Sequence, residues 1–83
     1  MKYEDILIKR IQCLCRERGY SINYLSTISN VSQSTLDNIM RGQTKNPGVK
    51  TLHRIALAFN MTLSEFLDFQ VLNDYSFDEE EIG

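Results

Sequence analysis

Two short apolar-periodic runs joined by a tight turn, all between Ser21 and Gly42, constrain this chain more than any other feature. Ile22, Leu25 and Ile28 recur at the spacing of one helical face, directly after Ser21. Leu36, Ile39 and Met40 do the same after Ser32. A serine ahead of such a run can accept a hydrogen bond from a backbone N–H that the first helical turn leaves without a partner. Between the runs, Asn30 tolerates left-handed backbone better than other non-glycine residues, and Val31 supplies an apolar plug. Gly42 can end the second run in a left-handed cap without a Cβ clash. The expected unit is therefore two short helices joined by a tight turn.

The second helix leaves Gln33, Ser34, Thr35 and Asn38 on its N-terminal and outward side. None is charged, yet together they offer both donors and acceptors. Such a surface suits the base edges of a DNA major groove, where Gln or Asn can make paired hydrogen bonds to adenine. Taken alone, it reads better as a solvated helix face, which is polar in any soluble protein.

The pattern Ser21…Leu25…Val31-Ser32-Gln33-Ser34-Thr35-Leu36…Ile39…Arg41-Gly42, with Asn46-Pro47 just beyond, resembles the Xre/Cro family of phage-repressor helix-turn-helix proteins. The resemblance extends from about Ile8 to Phe69 and includes the run Val49 to Phe59, followed by Met61 to Leu67. It implies an all-α fold: a compact five-helix, lambda-repressor-like DNA-binding domain over residues 1–69, with the motif at 21–42 and a short acidic tail at 70–83. By the same resemblance, Gln33, Ser34 and Asn38 are the base-reading candidates. Ser21, Ser32, Thr35, Arg41, Gln43, Lys45 and Asn46 are candidates for contacts to the DNA backbone or for supporting roles.

Three positions depart from the family pattern. Many relatives pair an Arg at the position of Cys15 with a Glu at that of Met40, linking the first and third helices. Replacing both members of a buried ion pair by apolar groups is often neutral or stabilising, whereas losing one is costly, so the joint change is coherent. Ile22 stands where relatives often carry a phosphate-contacting Gln, which puts that contact in doubt. Asn30 replaces the usual turn glycine.

A net charge of −2 argues against a polyanion partner until its distribution is considered. All nine basic residues lie at or before Arg54, against four acidic ones, a balance of +5; the remaining seven acidic residues follow, with no base. Such asymmetry suggests a polyanion partner for the basic part and a separate role for the acidic tail. With 83 residues and 42% hydrophobic content, the chain suits one small, marginally stable domain that dimerisation would help. No apolar run is long enough to span a bilayer, and Met1 to Asp5 lacks a signal-peptide pattern, so a cytoplasmic protein is expected.

Glu4 to Arg18 reads as the first helix, with Leu7, Ile11 and Leu14 inward, its arginines mostly solvated and Gly19 as its stop. Cys13 and Cys15 project in nearly opposite directions on that helix, so neither a metal pair nor a disulfide is expected; Cys15 is assigned to the core and Cys13 to the periphery. A fourth helix carries Leu52, Ile55, Ala56 and Phe59 on one stripe, with His53, expected to be a packing residue, at its edge. Asn60 closes that helix, and Thr62 with Glu65 forms a capping-box start for a fifth. Val71, Leu72, Tyr75, Phe77 and Ile82 are too bulky for an ordinary disordered tail and are expected to pack on their own domain or on a second subunit.

The leading expectation is a sequence-specific regulator that binds double-stranded DNA as a homodimer, with reading helices roughly 34 Å apart and the tail at the subunit contact. Repression is the sign that the family analogy implies. An antitoxin with the same fold, its tail engaging a protein partner, is the alternative; a protein-interaction module that does not bind DNA is another. No nucleophile–base pair, phosphate loop or metal cluster points to an enzyme or to a cofactor.

Overall fold

A computed structural model describes residues 2–79. Five helices enclose the core: α1 (Tyr3–Arg18), α2 (Ile22–Ser29), α3 (Gln33–Met40), α4 (Val49–Ala58) and α5 (Leu63–Leu67). A single helical turn, α6 (Gln70–Asn73), and a 3-10 turn (Phe77–Glu79) follow. No strand occurs among the described residues, and the arrangement is the all-α, lambda-repressor-like one. None of the described helices is long and apolar enough to cross a membrane.

The helix boundaries have local causes. In α1, Glu4 and Asp5 occupy the first turn and Arg16 and Arg18 the last, each matching the sign of the helix dipole there. Gly19 then takes φ 69°, and the N–H groups of Gly19 and Tyr20 return to the carbonyls of Arg16 and Cys15. Asn60, at φ 61°, reverses the chain after α4. Thr62 and Glu65 form the expected reciprocal capping box on α5.

Most of the core is one cluster, beside which Ile6 and Leu7 of α1 are also buried. Ile11, Leu14 and Cys15 enter it from α1, Leu25 from α2, Val31 from the turn and Leu36 and Ile39 from α3. Leu52, Ile55, Ala56 and Phe59 enter from α4 and its cap, and Phe66 from α5. Each fully buried Leu, Ile or Phe contributes about 1.5–3 kcal/mol of hydrophobic free energy. Tyr20, Phe59 and Phe66 stack in sequence at centroid separations of 6.0 and 6.4 Å. α2 packs on both α3 and α4, α5 on α4, and α1 against α3.

Three details depart from expectation. Ile28 is 37% exposed, and Ser29, at 5%, takes the buried place one turn beyond Leu25. The inward face of α2 thus follows the four-residue spacing, and the Ser29 hydroxyl is bonded inside the turn. His53 is exposed rather than packed, since the buried stripe on its two neighbouring turns points the other way. Arg10 is not a solvated charge: its Nε donates to the Phe66 carbonyl at 2.9 Å and its guanidinium to that of Glu65 at 3.1 Å. The same guanidinium lies 4.8 Å from the Phe69 ring centroid, so it ties α1 to the end of α5. The tail forms short helical turns and packs on its own domain, one of the two placements expected of it. Tyr75 meets Tyr3 edge-on at 5.2 Å, Phe77 stacks on Tyr3 at 5.6 Å, and Leu72 is half-buried. Val71 stays 52% exposed. The acidic run that begins at Asp78 continues past the described residues, and Ile82 lies outside them.

The two cysteines lie as expected, Cys15 buried and Cys13 exposed, and both are free thiols. Cys13 donates weakly to Glu17 Oε2 at 3.8 Å, and burial pushes the Cys15 thiol above its ordinary value of 9.0.

Candidate nucleic-acid interface

α2 and α3 are each started by a serine. Ser21 Oγ accepts from the Tyr24 N–H at 3.0 Å. Ser32 Oγ accepts from the Thr35 N–H at 3.1 Å and donates to Thr35 Oγ1 at 2.8 Å. Ser21, Ser32 and Thr35 therefore support the motif through their hydroxyls.

Between the helices, Asn30 takes φ 58°. Val31 is buried, and side-chain hydroxyls hold both of its backbone groups. Its N–H donates to Ser29 Oγ at 3.2 Å, and its carbonyl accepts from Ser26 Oγ at 2.6 Å. Ser29 Oγ in turn donates to the Ser26 carbonyl at 3.4 Å. The turn is thus latched by two serines of α2 without any charge.

α3 is anchored from below by Leu36 and Ile39, both buried. At 100° per residue, Gln33, Asp37, Arg41, Ser34 and Asn38 fall in that order within an arc of about 140° on the opposite side. Ser34 and Arg41 are exposed; Gln33, Asp37 and Asn38 are half-buried. Gln33 Nε2 donates to Asp37 Oδ1 at 2.9 Å. The C-terminal end is fixed as firmly as the start: the N–H groups of Gln43 and Thr44 both reach the Asn38 carbonyl, at 2.9 and 3.1 Å. Gly42 makes the reversal at φ 76°, in the left-handed region that other side chains rarely adopt.

Beyond α3, Gln43, Lys45 and Asn46 are exposed while Pro47 is buried, so the loop is pinned on one side only. Lys45 and Asn46 share a surface depression with Tyr3, Glu4 and Phe77. Cys15 and Met40, at the positions of the absent ion pair, line a common depression with Gln12, Arg16, Tyr20 and Ile22. No group of three or more metal-binding side chains occurs among the described residues.

The structure therefore brings the three base-reading candidates together on the outer side of α3, with Arg41 between them and Lys45 and Asn46 just beyond. A helix-turn-helix family model matches residues 12–66, from the middle of α1 to the buried Phe66 of α5. The chain belongs to the Xre/Cro-type helix-turn-helix family. It is also 40% identical over 67 residues to the HTH-type transcriptional regulator SlrR of Bacillus subtilis (strain 168). That match covers 80% of this chain and 44% of the regulator, so the chain spans less than half of its relative's length.

In this helix-turn-helix protein two contributors escaped the sequence reading. The Ser26–Ser29 latch carries no signal beyond two ordinary serines. Asp37 does carry one: it stands four residues after Gln33, a spacing at which Gln and Asp side chains hydrogen-bond on a helix.

Proposed function

We propose that this chain is a sequence-specific regulator of transcription that binds double-stranded DNA with α3 in the major groove, and that it represses. The observation that carries the reading is the outer arc of α3. Uncharged donors and acceptors at Gln33, Ser34 and Asn38 are presented on a helix fixed at both ends. Base edges are read by such groups, whereas phosphate contacts position without reading. Arg41, Gln43, Lys45 and Asn46 follow in chain order on an exposed turn and loop, placed to position the protein on the sugar–phosphate chain. The relationship to a transcriptional regulator supports the same reading. The protein acts in the cytoplasm as a homodimer on a two-fold site, with the exposed Val71 of the tail at the subunit contact or against a protein partner. The helix-turn-helix domain occupies residues 1–69 and the tail 70–83. The chemistry is binding alone, without a catalytic step.

Selection on random duplex DNA tests the proposal, since it reports binding, preferred sequence and half-site spacing together. A two-fold sequence with half-sites roughly 34 Å apart is expected. Gln33→Ala should cost about 1–3 kcal/mol on that sequence and leave nonspecific binding nearly unchanged. Equal losses on both would make Gln33 a positioning residue, and the absence of any enriched sequence would refute the proposal.

A further inference from the structure

We infer that Asp37 determines which base Gln33 reads, by holding the Gln33 amide in one orientation. The inference rests on the DNA-reading role proposed for α3. A carboxylate only accepts hydrogen bonds, so the group facing it at 2.9 Å is the amide nitrogen of Gln33, and the Gln33 carbonyl oxygen points away. The amide nitrogen carries two hydrogens, and Asp37 takes one. What remains for a ligand is one donor and one acceptor in a fixed order.

Adenine presents the matching pair in the major groove, an N6 donor beside an N7 acceptor. Guanine presents two acceptors, O6 and N7. A freely rotating glutamine can turn both of its N–H groups toward guanine. With one N–H committed to Asp37, it can serve only one guanine acceptor, and its own carbonyl oxygen then faces the other. Asp37 therefore favours adenine by removing the alternative, an instance of discrimination through the disfavoured partner. Asp37 is half-buried and lies between Gln33 and Arg41 on the outer arc of α3, so it acts at the reading surface and not in the core.

The test compares selections on random duplex DNA for the parent, Asp37→Ala, Asp37→Asn, Gln33→Ala and the Gln33→Ala/Asp37→Ala double variant. The parent should enrich adenine at one position of each half-site, and Gln33→Ala should abolish that preference. Asp37→Ala should accept guanine there, with discrimination between the two bases falling about tenfold, within the range of one paired contact. Asp37→Asn should keep the adenine preference, because its Oδ1 still accepts the Gln33 N–H, while the loss of a negative charge strengthens nonspecific binding at low salt. A merely structural aid to the helix would alter the melting temperature of Asp37→Ala but not its base preference. In the Gln33→Ala background, removing Asp37 should change nothing further at that position. A parent that selects adenine and an Asp37→Ala variant that selects it as sharply would overturn this inference alone. A cytosine preference lost with Asp37 irrespective of Gln33 would overturn it too, making Asp37 itself the reader. A parent with no enriched sequence would overturn the DNA-reading role, and this inference with it.

Discussion

Ser29→Ala probes the latch that joins the two helices of the motif. The substitution removes the hydroxyl to which the Val31 N–H donates, a buried bond of 3.2 Å, and puts a methyl group in its place. A buried donor left without an acceptor costs about 1–3 kcal/mol, more than the net worth of an average hydrogen bond. The weaker 3.4 Å bond from Ser29 to the Ser26 carbonyl is lost as well, but it is only partly buried and adds little. We therefore expect a loss of about 2 kcal/mol, which for a domain of this size lowers the melting temperature by roughly 8–16 °C. Ser26→Ala is the internal comparison. It strips a donor from the Val31 carbonyl in a bond that is only part-buried, and should cost about 1 kcal/mol. Thermal and urea melts measure both, and hydrogen exchange at the Val31 amide should accelerate in Ser29→Ala ahead of the rest of α3. A Ser29→Ala protein melting within about 2 °C of the parent would show that the turn does not depend on this bond. A Ser26→Ala protein losing more than Ser29→Ala would show that the carbonyl side carries it.

Four further outcomes are expected. Cys15→Arg alone should destabilise by about 3 kcal/mol, because the charge arrives without a partner, and adding Met40→Glu should restore part of the loss; an unharmed single variant in a thermal melt would mean that the open depression beside Cys15 accepts the charge. Since burial raises the Cys15 thiol, its contribution to stability is fully present below its ordinary value of 9.0 and is lost as pH rises through the folded-state value; Cys15→Ala should therefore show a shallower alkaline decline in melting temperature, and identical slopes would contradict this. Truncation after Phe69 removes Tyr75 and Phe77 from Tyr3, so it should lower the melting temperature as well as shift a dimer towards monomer in sedimentation. Neutralising only Asp78, Glu79, Glu80 and Glu81 should leave the dimer intact and strengthen nonspecific DNA binding at low salt, and a truncated protein that stays dimeric would move the subunit contact elsewhere.

What the sequence determined by itself lies within about four residues of its cause. Ser21, Ser32 and the Thr62–Glu65 pair start helices by bonding N–H groups three residues away, and Asn30, Gly19 and Gly42 stop or turn the chain through their own backbone preferences. These energies do not depend on where the rest of the chain lies, so they can be recognised in order along it. The outer arc of α3 was legible for the same reason: Leu36 and Ile39 define its buried side, and everything opposite must face outward. What tertiary structure decided is where neighbouring elements cross. One residue along a helix is a 100° rotation, so a stripe such as Ile22, Leu25 and Ile28 names a face only loosely. The packing of α2 against both α3 and α4 selected Ser29 over Ile28 for the interior, and the burial of α4 left His53 outside. Arg10 became a clamp only because the fold brings the Phe66 carbonyl, 56 positions along the chain, within 2.9 Å of it. Tyr3 likewise acquired Tyr75 and Phe77 as partners across nearly the whole chain. Contacts of that separation are set by the path of the backbone between them, which no local preference encodes.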